Sequence, residues 1–553
     1  MVHVKKIIES VARLQSHSIG IAALIVAVFG VLSRFMGLVR DRVLAANYGA
    51  GDTLDIYYAA FRLPDLIFEL LIVGSLAAAF VPHFTKLLQQ DNHDRAWRCA
   101  NDLFLLLLGV LCALSAVGFI FAPALMHVIV PGFDAAKSAA TADFARVMFF
   151  SPLFLTASAL FGSVLVSMRK FILYASAPLF YNAGIIVGIV FFAPYTGDIG
   201  LAYGVVFGAF LHFVVHTIAV SHAGFDFSLP RRMPYKNKDV RFIMKSMLPR
   251  IFGSASNQIA LLLTTMTASL LSAGALTMFT FAYNVQSVVL GVVGVSFALA
   301  AFPTLSAAFA NQKKEYFTAT FIQTFRRILY YAIPLSVLFW ILRAQVIRLV
   351  YGAGNFDPVA TSLTIDILSI LLMSVFAQCL IPLLARSFYA MNDTKTPLYA
   401  ALSSQAVNMF LLFTLLPLYP TPYRVEVIAV AFTISAIINA AILAFLLVRR
   451  LENVPVRETC ISIIQITLAA FFAGGVAHMV KNFVGGIFTP QIYVWQYLVQ
   501  FSVTFIVGIV LYLGISAVFG LKEYETIRKK IFFKLFGRPI VAAEEQNQGT
   551  GSH

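Results

Sequence analysis

Four arginines and five carboxylates fall within residues 31–71, a stretch otherwise apolar enough to sit in lipid. On a regular helix at about 100° per residue, Arg34, Gly37, Arg40 and Asp41 share an arc of about 120°, with Gly37 between the two arginines. In the next apolar segment Asp55, Arg62 and Glu69 recur every seven residues, nearly one above another, and Tyr58 and Asp65 flank the same seam. Pro64 removes a backbone hydrogen bond beside Arg62 and bares a carbonyl there. A charge at the apolar centre of a bilayer costs at least about 2.5–3.5 kcal/mol on insertion scales, so such groups face a bundle interior or an aqueous cavity. Two polar faces on adjacent helices therefore predict one cavity. A guanidinium presents a planar fork of donors that fits a pyrophosphate or carboxylate, and a low dielectric strengthens the attraction, so the expected cargo is anionic. A competing reading puts Arg40, Asp41, Arg42 and Asp55 at the outer interface as paired anchors, with Asp65 and Glu69 serving only to neutralise Arg62.

Helices must hold these faces, and the composition supplies them. Of 553 residues, 60% are hydrophobic and 12% charged, the mark of an all-α integral membrane protein. Windows of about 19 residues predict fourteen transmembrane helices, beginning near residues 18, 54, 99, 139, 172, 198, 242, 275, 319, 359, 397, 425, 458 and 493. With the N-terminus inside, roughly 29 of the 40 basic residues fall in cytoplasmic clusters, against about five outside (Lys137, Arg343, Arg348, Arg424 and Lys481). Both termini are then cytoplasmic. The basic N-terminus precedes an apolar run but no small-residue cleavage site, so it reads as a retained first helix. Topology accounts for the formal charge of +15 without a nucleic-acid partner. Outer loops such as "VPGFDAAKS" and "YGAGNFDP" leave no room for an external domain, and no H-E-x-x-H or G-x-x-x-x-G-K-[ST] is present. No catalytic residue, metal or cofactor is expected, and the residues leave the coupling ion open. Cys99, Cys112, Cys379 and Cys460 share no ligand-like spacing and read as small core residues. His212 and His216, four apart on one helix face without a nearby acid, read as a satisfied core pair.

A repeat at a spacing of about 221 residues organises the chain. "AAAFVPHFTKLLQQ" (77–90) answers "LAAFPTLSAAFANQ" (299–312), "YYAAFRL" (57–63) answers "FTFAYNV" (279–285), pairing Arg62 with Asn284, and "VPGF" (130–133) answers "GAGNF" (352–356). "SAPLFYN" (176–182) against "KTPLYAA" (395–401) is the fourth anchor in the same order. The expected division is a cytoplasmic segment (1–17), an N-lobe of six helices (18–223), a basic cytoplasmic linker (224–241), a C-lobe of six (242–450), two further helices (451–520) and a basic, then polar tail (521–553) with the composition of disordered chain. Six is even, so the halves repeat in the same orientation about an axis along the membrane normal. Two pseudo-symmetric bundles around a central cavity are the architecture of an alternating-access transporter.

"SRFMGLVRD" (33–41), "YGAGDTLDIYYAAFRLPDLI" (48–67), "GSLAAAFVP" (74–82), "VPGF", "FALAAFPTLS" (297–306) and "RSFYAMNDTKTP" (386–397) together resemble the MurJ (MviN) family of lipid II flippases, in the multidrug/oligosaccharidyl-lipid/polysaccharide exporter superfamily. The resemblance runs from about residue 18 to 520. It implies export of undecaprenyl-pyrophosphate-linked disaccharide pentapeptide across the bacterial cytoplasmic membrane for peptidoglycan synthesis, with lipid II as partner and cell-wall synthesis proteins as candidate partners. It also implies that Arg34, Arg40, Asp41, Asp55 and Arg62 hold the headgroup, that Ser33, Gly37, Pro64, Arg386, Asp393, Thr394, Lys395 and Pro397 are motif or gate residues, and that the last two helices form an apolar groove for the lipid tail. The chain departs from the family where R-R-x-x-x-E-G is usual, reading Phe68, Glu69 and later Val73-Gly74, and where Asn284 replaces an eighth-helix arginine. Asn284, and Arg250 on the seventh helix, are therefore further candidates for the headgroup site. The rivals are a superfamily member exporting another polyprenyl-linked saccharide, a drug exporter, which would line its cavity with acids and aromatics, a membrane enzyme acting on polyprenyl phosphates, and a nontransporting scaffold.

Overall fold

In lipid each backbone N–H and C=O must find a partner within the protein, and a chain of apolar runs punctuated by Pro and Gly meets that demand with helices. The computed structural model describes residues 19–69, 76–90, 92–225, 227, 233–420, 424–488, 493–526 and 528, with the side chains of 19–24, 27, 78 and 248–257 outside that description. The expected segment 1–17, Val73-Gly74, most of the tail and the side chain of Arg250 thus lie outside the described residues.

In chain order the helices are α1 (Ile19–Tyr48), α2 (Asp52–Phe68), α3 (Leu76–Gln89), α4 (His93–Ile129), α5 (Ala135–Met148), α6 (Ser151–Ser167), α7 (Phe171–Val187), α8 (Ala193–Thr196), α9 (Gly200–Ser221), α10 (Lys238–Ser269) and α11 (Ala275–Val289). They continue as α12 (Ser296–Ala310), α13 (Lys314–Ile341), α14 (Arg343–Val350), α15 (Pro358–Leu372), α16 (Val375–Ala390), α17 (Lys395–Leu415), α18 (Arg424–Val448), α19 (Val456–Ile487) and α20 (Val494–Val518). Each of the fourteen predicted starts falls close to the start of one of these helices. Among the described residues nine helical runs are long and apolar enough to cross a membrane, or eleven when the bent pairs α13 with α14 (73°) and α15 with α16 (47°) each count as one span. Fourteen spans are therefore not confirmed. The shortfall falls on α1, on α2 with α3, and on α10, each of which lies partly outside the described residues.

The chain divides into two compact units, Met1–Val285 with Val350–Leu371 and Asp393–Ser435, and Gln286–Leu349 with Leu372–Asn392 and Ala436–His553. The first unit is built around a core that includes Phe80, Phe84, Leu103, Phe161 and Val164. Close approach of α7 to α9 depends on glycines spaced four apart: Gly184 and Gly188 lie against Gly208 and Gly204, where an added methyl would collide with backbone. Such small-residue seams replace hydrophobic drive in lipid, where side chains gain little by leaving an apolar solvent. At the start of α10, ahead of residue 242, Asp239 accepts from Arg95 Nε (2.8 Å) and Nη2 (2.9 Å) and lies 3.0 Å from His83 Nε2. Burial pushes this carboxyl up, but the hydrogen bonds from Arg95 and His83 outweigh it and hold Asp239 below the usual carboxylate range.

Two loops of this unit seat helix ends reciprocally. Gly132 donates its N–H to Ser269 Oγ (3.2 Å) at the end of α10, and a methyl there would strike the backbone of Ser269 and Leu270. Gly354, at φ +60, packs as closely on the Ala46 carbonyl near the end of α1, and Asn355 donates its N–H to that carbonyl (2.9 Å). The two loops are repeat mates, as are the two helix ends.

In the second unit α19 and α20 pack on α13 through Tyr330, Ile466, Ala469, Ala473 and Tyr512, and Tyr512 Oη donates to the Tyr330 carbonyl (2.8 Å). A pocket of about 900 Å³ lies where Arg326, Arg327, Glu452, Lys522 and Glu523 meet. Cys99 and Cys379 are buried as expected, whereas Cys112 and Cys460 are exposed. A lipid-facing surface tolerates a thiol as readily as a core does, so burial could not be inferred from type.

Candidate anion-binding cavity

α2 begins with Asp52 and Asp55 in its first turn, where acids suit the positive helix end, and runs through Pro64 without breaking. It contributes one wall of a cavity of about 510 Å³ in the first unit, through Tyr58, Arg62, Asp65 and Glu69; Arg40, His212, Thr280 and Asn284 also line it.

Among the described residues Arg62 is held at one corner only. Its Nε donates to Thr265 Oγ1 (2.7 Å), and that hydroxyl donates onward to the Leu261 carbonyl (2.9 Å). Among the described residues no acid lies within ion-pair distance of Arg62, so Asp65 and Glu69 share its cavity without pairing with it. Two hydroxyls of residues lining the same cavity, Tyr58 Oη of α2 and Thr280 Oγ1 of α11, are buried with no hydrogen-bond partner among the described residues. Buried polar atoms are rarely left so, and here they border a space that a polar ligand can enter.

Arg40 is held on three sides. Nε and Nη2 donate to Asp41 Oδ1 (2.9 and 2.7 Å), and Nη1 donates to Asn182 Oδ1 (3.2 Å). Asp41, itself buried, accepts from Asn284 Nδ2 at its other oxygen (2.9 Å). Asn284 thus supports the acid while also lining the cavity. Asn182 Nδ2 reaches the carbonyls of Pro178 (3.1 Å) and Ser33 (3.4 Å), and a methyl at Gly37 would find Asn182 Oδ1 at 3.9 Å, ordinary contact. Asn182 is the member of this cluster that the sequence reading missed.

Asp55 is elsewhere. Its Oδ2 accepts from the Gly274 N–H (2.8 Å), and its Oδ1 accepts from Thr277 N–H and Oγ1 (3.0 and 2.8 Å), with Lys137 Nζ at 3.3 Å. It caps the start of α11 and is absent from the cavity lining. Arg34 is half-buried on α1 and also outside that lining.

Residues 44–499 match the family described as Lipid II flippase MurJ. The chain belongs to the lipid II flippase MurJ family. A probable lipid II flippase MurJ of Rhizobium tropici is 31% identical over 427 residues, covering 76% of this chain and 79% of that protein. One of Bdellovibrio bacteriovorus is 28% identical over 518 residues, covering 92% and 96%. Among solved structures, a lipid II flippase MurJ in an inward closed conformation superposes with a TM-score of 0.71 over 90% of this chain and 98% of its own, at 20% identity. An inward-facing multidrug resistance MATE family transporter of the MOP superfamily gives 0.62 over 76% and 94%, at 14% identity, a likeness of fold alone.

The MurJ-like motif at 386–397 is resolved into local roles. Asp393 caps α17, its Oδ1 accepting from the N–H groups of Lys395 and Thr396 (both 3.0 Å) and its Oδ2 from Thr396 Oγ1 (2.6 Å). Thr394 and Lys395 are exposed, and Pro397 is buried in the first turn of α17, where a missing N–H costs nothing. Arg386 donates from Nη1 to the Val295 carbonyl at 3.4 Å. The pattern fixes a helix start; none of these residues lines the cavity of the first unit.

Proposed function

We propose that this chain flips lipid II, an undecaprenyl-pyrophosphate-linked disaccharide pentapeptide, from the inner to the outer leaflet of the bacterial cytoplasmic membrane. The observation that carries the reading is Arg62: a half-buried guanidinium on a cavity wall, held by one hydroxyl and in no ion pair among the described residues. A phosphate anion supplies the missing counter-charge and accepts the terminal N–H groups as a fork, while Tyr58 Oη and Thr280 Oγ1 offer two further donors. Arg40 can join only by exchanging Asp41 or Asn182 for the ligand, so it contributes field first and hydrogen bonds second.

Family membership supports the cargo, and the repeat supports alternating access by two six-helix halves, 18–223 and 242–450. The distribution of basic residues supports cytoplasmic termini. With the inside negative, an empty cationic site is drawn inward by about 2.3 kcal/mol per charge per 100 mV, which favours resetting. Exposed Ile464, Phe471, Phe472 and Phe483 on α19 suit contact with a lipid tail. Cell-wall synthesis proteins are the natural recipients of the product.

Phe68 on the cavity wall, where the resemblance leads to an arginine, favours a second reading, in which the cargo is another polyprenyl-linked saccharide. Asp65 and Glu69 beside the aromatic wall favour a third, a cationic drug. The test is complementation of a strain depleted of its lipid II flippase, read by accessibility of lipid II to an external toxin. Wild type is expected to restore growth and accessibility and Arg62→Ala to restore neither at equal membrane level; failure of well-expressed wild type beside a working control flippase rejects lipid II as cargo.

A further inference from the structure

We infer that His212, Ser158 and His216 form a proton-uptake site opening on the cavity, so that the anionic cargo binds together with a proton. The inference rests on the reading of that cavity as a pyrophosphate site.

Ser158 of α6 lies between two imidazoles of α9, its Oγ 2.6 Å from His212 Nδ1 and 2.8 Å from His216 Nδ1. His216 Nδ1 is also 2.8 Å from the Ser158 carbonyl oxygen, and its Nε2 is 3.2 Å from that of Tyr174. Carbonyl oxygens only accept, and the Ser158 hydroxyl also lies 3.0 Å from the His212 carbonyl, so these distances allow two bonding patterns that differ in the protonation of His216. With His216 neutral, its Nε2–H donates to the Tyr174 carbonyl, the Ser158 hydroxyl donates to His216 Nδ1, and His212 Nδ1–H donates to Ser158 Oγ. With His216 protonated, its two N–H groups donate to the two carbonyls and the Ser158 hydroxyl turns back to His212 Nδ1.

One proton carries the first pattern into the second. It binds His212 Nε2, the nitrogen turned away from Ser158 on a residue that lines the cavity. The Nδ1 proton of His212 passes to Ser158 Oγ, and the former hydroxyl proton passes to His216 Nδ1. His212 ends neutral in its other tautomer, Ser158 is again a hydroxyl, and the gained charge rests on His216, buried and stacked against the Tyr174 ring at 6.1 Å. Gly162 keeps the seat narrow, since a methyl there would stand 3.0 Å from His216 Cε1.

The surrounding charges can be followed helix by helix. α6 contributes no titratable group, and α7 contributes Tyr174 and, on the cavity wall, Tyr181. α5, also packed on α9, carries Asp143 and Arg146, paired with each other, and Lys137, engaged by Asp52 and Asp55. Around the cavity stand Arg40, Arg62, Asp65 and Glu69 with Tyr57, Tyr58 and Tyr283. An anion entering beside His212 favours the protonated relay, and by reciprocity the protonated relay favours the anion.

The experiment is calorimetric titration of the purified chain in lipid nanodiscs with lipid II, across about pH 6–8, in buffers of different ionisation heat. The cargo's pyrophosphate diester has no proton to exchange there, its peptide carboxylates titrate below that range, and any other exchange by the cargo is common to wild type and variants. Wild type is expected to take up as much as about one proton per cargo bound, with affinity rising by up to about tenfold per unit of acidification. Ser158→Ala and His216→Gln are expected to bind with affinity flat in pH. Wild-type binding without proton uptake overturns the inference alone, uptake retained in both variants overturns the assignment to this site, and absence of binding at any pH overturns the cavity reading and the inference with it.

Discussion

The pocket of the second unit and the cavity of the first both contain partly buried arginine, and they settle its charge differently. In the larger pocket Arg326 meets Glu523 at 2.9 Å, off the hydrogen-bond line, with Nη2 donating to the other oxygen at 3.3 Å; the side chains are 11% and 8% exposed. Lys314 meets Glu452 at 2.6 Å beside it. In the smaller cavity Arg62 meets a threonine hydroxyl. A cation matched by a fixed acid acts as a clamp, since removing either partner strands the other, whereas a cation matched by a hydroxyl retains most of its field for something that comes and goes. Arg40 lies between these cases, clamped by Asp41 yet bordering the cavity.

The comparison breaks first at Arg62. Arg62→Ala is expected to lower lipid II translocation at least about 100-fold at unchanged thermal stability, and Arg62→Lys to recover part of it, because an ammonium keeps the charge but loses the fork. If Arg62→Ala unfolds the chain instead, Arg62 is a clamp too. Arg326→Ala should do the reverse, lowering unfolding free energy by about 3–5 kcal/mol in a detergent melt while translocation per folded molecule persists; the double change to Met at 326 and Leu at 523 should recover most of the loss.

A smaller effect is expected at Asp55, whose change to Ala leaves the Gly274 and Thr277 N–H groups without their acceptor, at about 1–3 kcal/mol in the same melt. Loss of translocation in folded Asp55→Ala would return this acid to the cargo site. The smallest effect belongs to the cluster at Asp239, whose partner Arg95 is half exposed. Its carboxyl is held below its ordinary value in the folded chain, so its contribution is full above the unfolded value of about 3.9 and is lost as pH falls through the folded one. The melting difference between wild type and Asp239→Asn should therefore be present at pH 7, shrink on acidification through pH 4 and weaken with salt.

What the sequence made legible follows from periodicity. Helix starts, the seam carrying Arg62 and Glu69, and the polar arc of α1 all depend on spacing within one helix, and spacing within a helix is rigid. What it hid depends on partners far along the chain. Asp55 belongs to the same seven-residue series as Arg62, but near the start of its helix it meets the Gly274 loop instead of the cavity. Arg40 and Asp41, adjacent and so on diverging directions, join because the long arginine side chain curls sideways to an acid fixed by Asn284, 243 residues away. The glycines spaced by four in "GIIVG" and "GLAYGVVFG", not singled out in the sequence, carry the α7–α9 contact that brings His216 to Tyr174. Ser158, one hydroxyl among many, had no signal until two imidazoles were seen around it.

The reciprocal seating of Gly132 on the end of α10 and Gly354 on the end of α1 has the form of an isologous contact, in which patch i of one copy meets patch j of another and j meets i. Such a contact closes on itself and leaves no unsatisfied surface at either end. Carried within a single chain, it means that neither loop is ornamental: each half of the repeat lends the other the seat for its first helix, as two subunits of a symmetric dimer would.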